Sequence, residues 1–209
     1  MAAEDLFAQV HIGDLTLPNR IVMAPLTRSR AQPDNTPGEL AARYYAQRAS
    51  AGLIISEATV ISPEGVGYPN VPGLYTDAHV RAWQSITGAV HEAGGRNFLQ
   101  IWPVGRISLP EYQPGGALPV APSAGCPKGN AFTWTGPKPF VTPRALDMEE
   151  IPLIVGQYRD AAARALQAGF DGVDLHGANG YLMDQFRRDG PNRRPDAYGG
   201  SIENRLRFL

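Results

Sequence analysis

Arg20-Ile-Val-Met-Ala-Pro-Leu-Thr27 is the stretch on which the fold turns. It opens as an apolar run of buried-strand length and closes on Pro25-Leu26-Thr27. A doubly wound nucleotide fold would normally carry its glycine fingerprint directly after the first strand. None stands there, and no G-x-G-x-x-G follows any later strand-like run.

Downstream, one unit recurs: apolar run, loop, amphipathic helix, glycine. Thr36-Pro-Gly-Glu39 predicts a helix start, with Thr36 as cap, Pro37 in the first turn and Glu39 reaching back, and the helix stops at Gly52. A second run, Leu53 to Ile61, leads through a Gly/Pro-rich loop to a helix from Thr76 or Asp77 to Gly94-Gly95. The third run is Asn97 to Trp102, followed by a long Pro/Gly/Ser loop to about Leu146. Asp147-Met-Glu-Glu150 begins a third helical region ending near Ala168-Gly169, with Pro152 blurring its start. The fourth run is Gly172-Val-Asp-Leu-His-Gly177.

Strands alternating with helices imply parallel βαβ units. Polar residues gather at the C-terminal ends of the strands, which favours a closed (β/α)8 barrel of the TIM type over an open sheet. Val10 to Leu17, upstream, reads as a hairpin that plugs the barrel floor. Only four strands are expected, near 20–27, 53–61, 97–102 and 172–177, where such a barrel needs eight and about 250 residues. Ser201 to Leu209 starts a helix with a capping Ser and apolar residues 202, 206 and 209 on one face. The expectation is that residues 1–209 form the N-terminal half of a barrel.

Composition narrows the function. Nineteen basic against 20 acidic residues leave a net charge of −1, against a nucleic-acid clamp or a polybasic membrane surface. Gly and Pro are abundant (23 and 19), but 43% apolar residues argue against disorder. The single Cys126 allows no internal disulfide, and the four His give no zinc spacing, so no metal site is expected. The N-terminus carries acids where a signal peptide wants bases, and no run approaches a membrane span. A cytoplasmic location is expected.

Alternate side chains of a strand share a face. Asp174 and His176 therefore point together into the barrel while Val173 and Leu175 meet the helices; Phe98, Gln100 and Trp102 form a second such set, and Met23, Pro25 and Thr27 a third. Thr27, Gln100 and His176 thus converge at the C-terminal rim. Asn179 and Tyr181 follow His176 closely. Two donors and a phenol suit a carbonyl substrate: His176 and Asn179 bind the oxygen where negative charge develops, and Tyr181, protonated at neutral pH, supplies a proton.

The sequence resembles the Old Yellow Enzyme family of FMN-dependent ene-reductases almost end to end. The resemblance is carried by Asn19 to Arg30, Ile55-Ser-Glu-Ala-Thr59, Gln100-Ile-Trp102 and Val104-Gly-Arg-Ile-Ser108 in the first half. Gly172 to Leu182, Asp184-Gln-Phe186 and Tyr198 to Arg205 carry it in the second. It implies that Pro25, Leu26 and Thr27 line the flavin ring, with the Thr27 hydroxyl near the C4 carbonyl, that Ala58 gives a backbone contact and that Gln100 bonds the polar edge. It implies that His176 and Asn179 hold the activating oxygen of an enone or nitro substrate, that Tyr181 protonates the α-carbon after hydride delivery, and that Tyr68 and Trp102 are pocket walls. NAD(P)H would reduce the flavin in the same pocket. Pro103 stands where many relatives carry His. An Arg facing the flavin and the phosphate loops come, in the family, from strands beyond the equivalent of residue 209.

Reduction of nitrate esters or nitroaromatics is the alternative within the family. A catalytically incomplete half-barrel, self-associating through its two unpaired edges, is another. Outside the family, a glycoside hydrolase would use Glu57 and Asp174 as its carboxylate pair. Glu57 is otherwise expected to be the structural partner of an Arg. The pairs Arg187-Arg188 and Arg193-Arg194 are expected to be solvated, or paired with Asp184 or Asp189.

Overall fold

The computed structural model describes residues 5–209. Ten strands and five α-helices follow one another among the described residues. A hairpin of β1 (Val10–Ile12) and β2 (Leu15–Leu17) comes first, turning at Gly13 with φ +57°. Then come β3 (Val22–Met23), α1 (Leu40–Ala46), β4 (Leu53–Ile55), α2 (Asp77–Glu92) and β5 (Asn97–Ile101). The long loop beyond β5 holds a parallel pair, β6 (Val120–Ala121) with β9 (Arg144–Ala145), and a hairpin of β7 (Asn130–Thr133) and β8 (Gly136–Pro139). Finally come α3 (Glu150–Gln167), β10 (Gly172–Leu175), α4 (Leu182–Arg187) and α5 (Ile202–Leu206).

The central sheet is parallel and ordered β3-β4-β5-β10, so each strand lies beside the one before it in the chain. A doubly wound sheet reverses this order at a switch point; an unreversed march with α1, α2 and α3 packed on one face is the arc of a barrel. The four expected runs all pair, but over shorter spans than the sequence suggests. The first leaves the ladder after Met23, where Pro25 has no N–H to donate. The second is interrupted at Glu57-Ala58 and resumes with Thr59, whose N–H donates to Gln100 C=O at 2.9 Å while its own C=O accepts from Trp102 N–H at 3.0 Å.

Leu99 and Ile101 of β5, Ile54 of β4 and Val173 of β10 face the helices, packing with Trp83, Ile86 and Val90 of α2 and with Ala161 and Ala165 of α3. Trp83 is fully buried against Phe170, ring centres 5.2 Å apart. Two expected facings are corrected. Met23 packs on the helix side with this core, because the pleat linking it to Pro25 and Thr27 ends with the strand. Leu175 is 49% exposed instead of meeting helices, and Ile21 and Val22 at the opposite edge are 41% and 45% exposed. Among the described residues, the outer edges of β3 and β10 pair with no other strand.

Helix starts follow local chemistry. Thr76 caps α2, its side chain accepting from His79 N–H, and Gly94 (φ +82°) ends it as expected. Pro152 sits in the first turn of α3, where no N–H is needed. The expected start of α1 moves to Leu40. The Thr36 backbone is spent in a turn, its C=O accepting from Gln32 and its N–H donating to Asp34, and its side chain caps nothing. Nor is Gly52 a left-handed stop: its N–H donates to Asn19 Oδ1, and a Cβ would lie 2.0 Å from Asn19 C=O, so close approach requires the glycine. Ser201 caps α5 as expected, but Ile202, Leu206 and Leu209 stay exposed. Phe208 is the buried residue there, stacked on Phe186 at 4.1 Å.

Candidate active site

A cavity of about 380 Å³ opens where β3, β4, β5 and β10 end. It is lined by Pro25, Thr27, Ala58, Gln100, Trp102, His176, Asn179 and Tyr181 among others. Eight of the ten residues singled out from sequence thus meet in one place. Leu26 is not among them; it lies 59% exposed outside the cavity. Tyr68 joins from behind, its hydroxyl 3.0 Å from the Tyr181 hydroxyl.

The aromatic groups form one packed cluster. Trp102 stacks over His176 with ring centres 6.2 Å apart, and Tyr181 stands edge-on to both at 4.9 Å. Tyr68 packs on Trp102 at 5.4 Å. Burial, then the contact with Tyr68, push the Tyr181 phenol above its ordinary value, so it stays protonated throughout the neutral range. Burial also lowers the His176 pKa, against opposing pulls from Asp174 and Asp184, so the imidazole is neutral at pH 7. Ala178 N–H donates to His176 Nδ1 at 3.4 Å, which assigns the proton to Nε2 and makes that nitrogen a donor.

Gln100 and Asp174 lie opposite each other in the β5–β10 pairing, and the Gln100 amide donates to Asp174 Oδ2 at 2.7 Å. Asp174 thereby fixes which way Gln100 presents its oxygen and its remaining N–H. The loop that follows β10 turns through two left-handed residues, Asn179 (φ +59°) and Gly180 (φ +79°), which returns Tyr181 to the cavity. Asn tolerates this conformation better than most side chains. Behind the turn, fully buried Asp184 accepts from Gly180 N–H at 2.9 Å. Arg187 and Arg188 pair with the same carboxylate at 2.9 and 2.8 Å, as the paired alternative anticipated. Arg194 pairs instead with Asp196 and is largely buried.

A larger cavity of about 710 Å³ lies by α1, lined by Arg28, Arg30, Glu39, Tyr44 and Glu57. Its buried charges are already matched. Glu57 holds the Arg28 guanidinium, and Tyr44 and Tyr45 flank that cation at 4.1 and 4.7 Å. Glu57 is therefore the expected partner of an Arg. Glu57 lines this cavity, whereas Asp174 lines neither cavity and is taken by the Gln100 amide, which removes the carboxylate pair a glycoside hydrolase would need.

Residues 5–209 match the model of the NADH:flavin oxidoreductase / NADH oxidase family. The chain belongs to this family. It is 47% identical over 210 residues to 12-oxophytodienoate reductase 1 of Oryza sativa subsp. japonica, covering 99% of this chain and 53% of that one. The structure superposes on the Old Yellow Enzyme homologue from Zymomonas mobilis with a TM-score of 0.94 at 54% identity, covering 97% of this chain and 57% of the other. It superposes on morphinone reductase in complex with tetrahydroNAD with a TM-score of 0.93 at 55% identity, with coverages of 97% and 57%. The Old Yellow Enzyme resemblance and the barrel-type fold read from the sequence are both upheld. The chain spans about half the length of the curated relatives it matches.

Within this family frame, the cavity suits the ring of a flavin better than its phosphate. Thr27, Gln100 and the Ala58 backbone offer hydrogen-bonding groups beside the flat surface of Pro25, whereas no Arg or Lys lines the cavity. Among the described residues no group of His, Cys, Asp and Glu could hold a metal ion, and no helix is long and apolar enough to cross a membrane.

Proposed function

We propose that the protein is an FMN-dependent oxidoreductase that reduces the activated C=C bond of α,β-unsaturated carbonyl or nitro compounds at the expense of NAD(P)H. The observation that carries this reading is the convergence of a neutral imidazole donor, an amide and a protonated phenol on one cavity. Thr27, Ala58, Gln100 and Pro25 would hold the flavin ring there. The bound flavin supplies hydride equivalents taken from the nicotinamide.

The chain's own residues do the rest. His176 Nε2–H and the Asn179 amide donate to the substrate's activating oxygen and favour the charge that develops on it as the double bond is reduced. Tyr181 then gives its proton to the α-carbon. Burial that raises the phenol's pKa keeps that proton available, and the Tyr68 hydroxyl can donate to the phenolate left behind. Trp102, stacked on His176, holds the imidazole plane and narrows the pocket.

Tyr181→Phe tests the assignment. In the FMN-loaded protein it should slow reoxidation of the flavin by an enone about 10²–10⁴-fold, the usual worth of a general acid. Flavin reduction by NAD(P)H, which needs no proton from the phenol, should be unaffected. Equal enone rates in the two proteins would remove Tyr181 from the role. His176→Ala should weaken binding of a phenolate ligand by about 10–100-fold, the worth of a hydrogen bond to a charged group; unaltered affinity in a titration would take the imidazole out of the oxygen-binding pair.

A further inference from the structure

Gln185 lies within α4, fully buried, and its carboxamide hydrogen-bonds to backbone alone. Its Nε2 donates to Gly180 C=O at 2.7 Å and to Val104 C=O at 2.9 Å, and its Oε1 accepts from Arg106 N–H at 3.2 Å. One side chain thus joins the loop leaving β10 to the loop leaving β5. Backbone bonds run along the same seam: His176 N–H donates to Ile101 C=O at 3.2 Å, and Leu182 N–H to Pro103 C=O at 3.3 Å. Gly105, at φ +60°, is where the carboxamide packs, since a Cβ there would lie 2.3 Å from its oxygen. From Val104 the seam reaches a third loop, because Val104 N–H donates to Gly65 C=O at 3.3 Å, three residues before Tyr68.

We propose that Gln185 is a positioning residue for proton transfer: it fixes the Tyr181 phenol against Trp102 and Tyr68 by clasping the loop of Tyr181 to that of Trp102, which is bonded in turn to the loop of Tyr68. The proposal rests on the reading of Tyr181 as proton donor. An amide suits the task because the seam presents two carbonyls and one N–H. A carboxylate has no donor for the carbonyls, Met has none, and Asn is one methylene too short to span both loops. Fixing matters because the phenol must meet one carbon atom, and a displacement of about 1 Å can cost about 10²-fold in rate.

The test is Gln185→Met, compared with the parent protein and with Tyr181→Phe. In the FMN-loaded protein, flavin reduction by NAD(P)H should stay within about threefold of the parent, while reoxidation by an enone slows about 10–100-fold. In the flavin-free protein, amide hydrogen exchange should rise in segments 102–107 and 177–186 and stay unchanged in α2. Gln185→Glu adds a pH signature: its buried carboxyl, with a raised pKa, keeps one donor only while protonated, so its enone rate should climb as pH falls. Enone reoxidation at the parental rate in Gln185→Met, with Tyr181→Phe impaired, would overturn the positioning role and leave the proton-donor reading intact. Failure of Tyr181→Phe to slow the enone step would overturn that reading instead. Equal loss in both half-reactions with exchange rising throughout would mark Gln185 as merely structural. Should Gln185→Met not fold, the same split measured on Gln185→Glu decides, a flat pH profile counting against the clasp.

Discussion

Two strand exits lend side chains to the same cavity and are held in different ways. The exit of β3 reaches it with Pro25 and Thr27, and its anchor is an ion pair: Arg28 on buried Glu57, the cation flanked by two Tyr rings. Leu26 between them stays exposed. The exit of β10 reaches it with His176, Asn179 and Tyr181, and its anchors are uncharged or many-handed. Gln185 satisfies three backbone groups, and Asp184 takes a backbone N–H beside two arginines. The contrast matches the two tasks proposed for them. A surface that would only line a flat ring tolerates one anchor point, whereas a phenol proposed to deliver a proton to one carbon is tied down on both sides of its turn.

The comparison can be broken at its anchors. Glu57→Gln should have the largest effect, since it strands the Arg28 cation in a mostly buried place; a loss of about 3–5 kcal/mol in denaturant unfolding is expected. A loss below about 1 kcal/mol would show that Arg28 finds water or another partner, and that the first exit is as loosely held as a surface loop. Asp184→Asn should cost less, about 1–3 kcal/mol, because the amide oxygen can still take Gly180 N–H while both arginines turn to solvent.

Asp184 also carries a pH dependence. Burial acts to raise its pKa, but Arg188, Gly180 N–H and Arg187 together hold it below the ordinary 3.8. Its stabilisation is therefore fully present above the unfolded-state value and is lost as pH falls through the lower native one. Acid unfolding of Asp184→Asn should lack this component, which comparison of the two pH–stability curves would reveal. Leu26→Ala should matter least, within about 0.5 kcal/mol, as a substitution at an exposed site does. A larger loss on FMN addition than without it would put Leu26 against the flavin after all.

The legible part of the fold was the part written in local chemistry. Thr76, Gly94 and Ser201 mark helix boundaries through groups that act within a few residues. The strand runs were visible because buried parallel strands are continuously apolar. Thr36 and Gly52 both have the composition of a cap and misled. The Thr36 backbone is taken by a competing local turn with Gln32 and Asp34, and Gly52 is claimed by Asn19, 33 residues away, a contact the local pattern cannot see. Met23 misled because alternation holds only while the pleat does. In the site, His176, Asn179 and Tyr181 were legible by spacing, whereas the duties of Asp184 and Gln185 were not. A buried carboxamide bonded to a backbone group 81 residues away leaves no periodic trace.

The sequence by itself determined the march of strands and helices, the absence of a dinucleotide fingerprint, and the set of groups able to bind an oxygen and give a proton. Those properties belong to residue types and short spacings. Tertiary structure alone decided that Glu57 lines a cavity that Asp174 does not reach, that Leu26 stays outside the site cavity, and that two loops meet on one glutamine. These depend on distances between segments far apart in the chain, which only the packed sheet and its connections bring to hydrogen-bonding range.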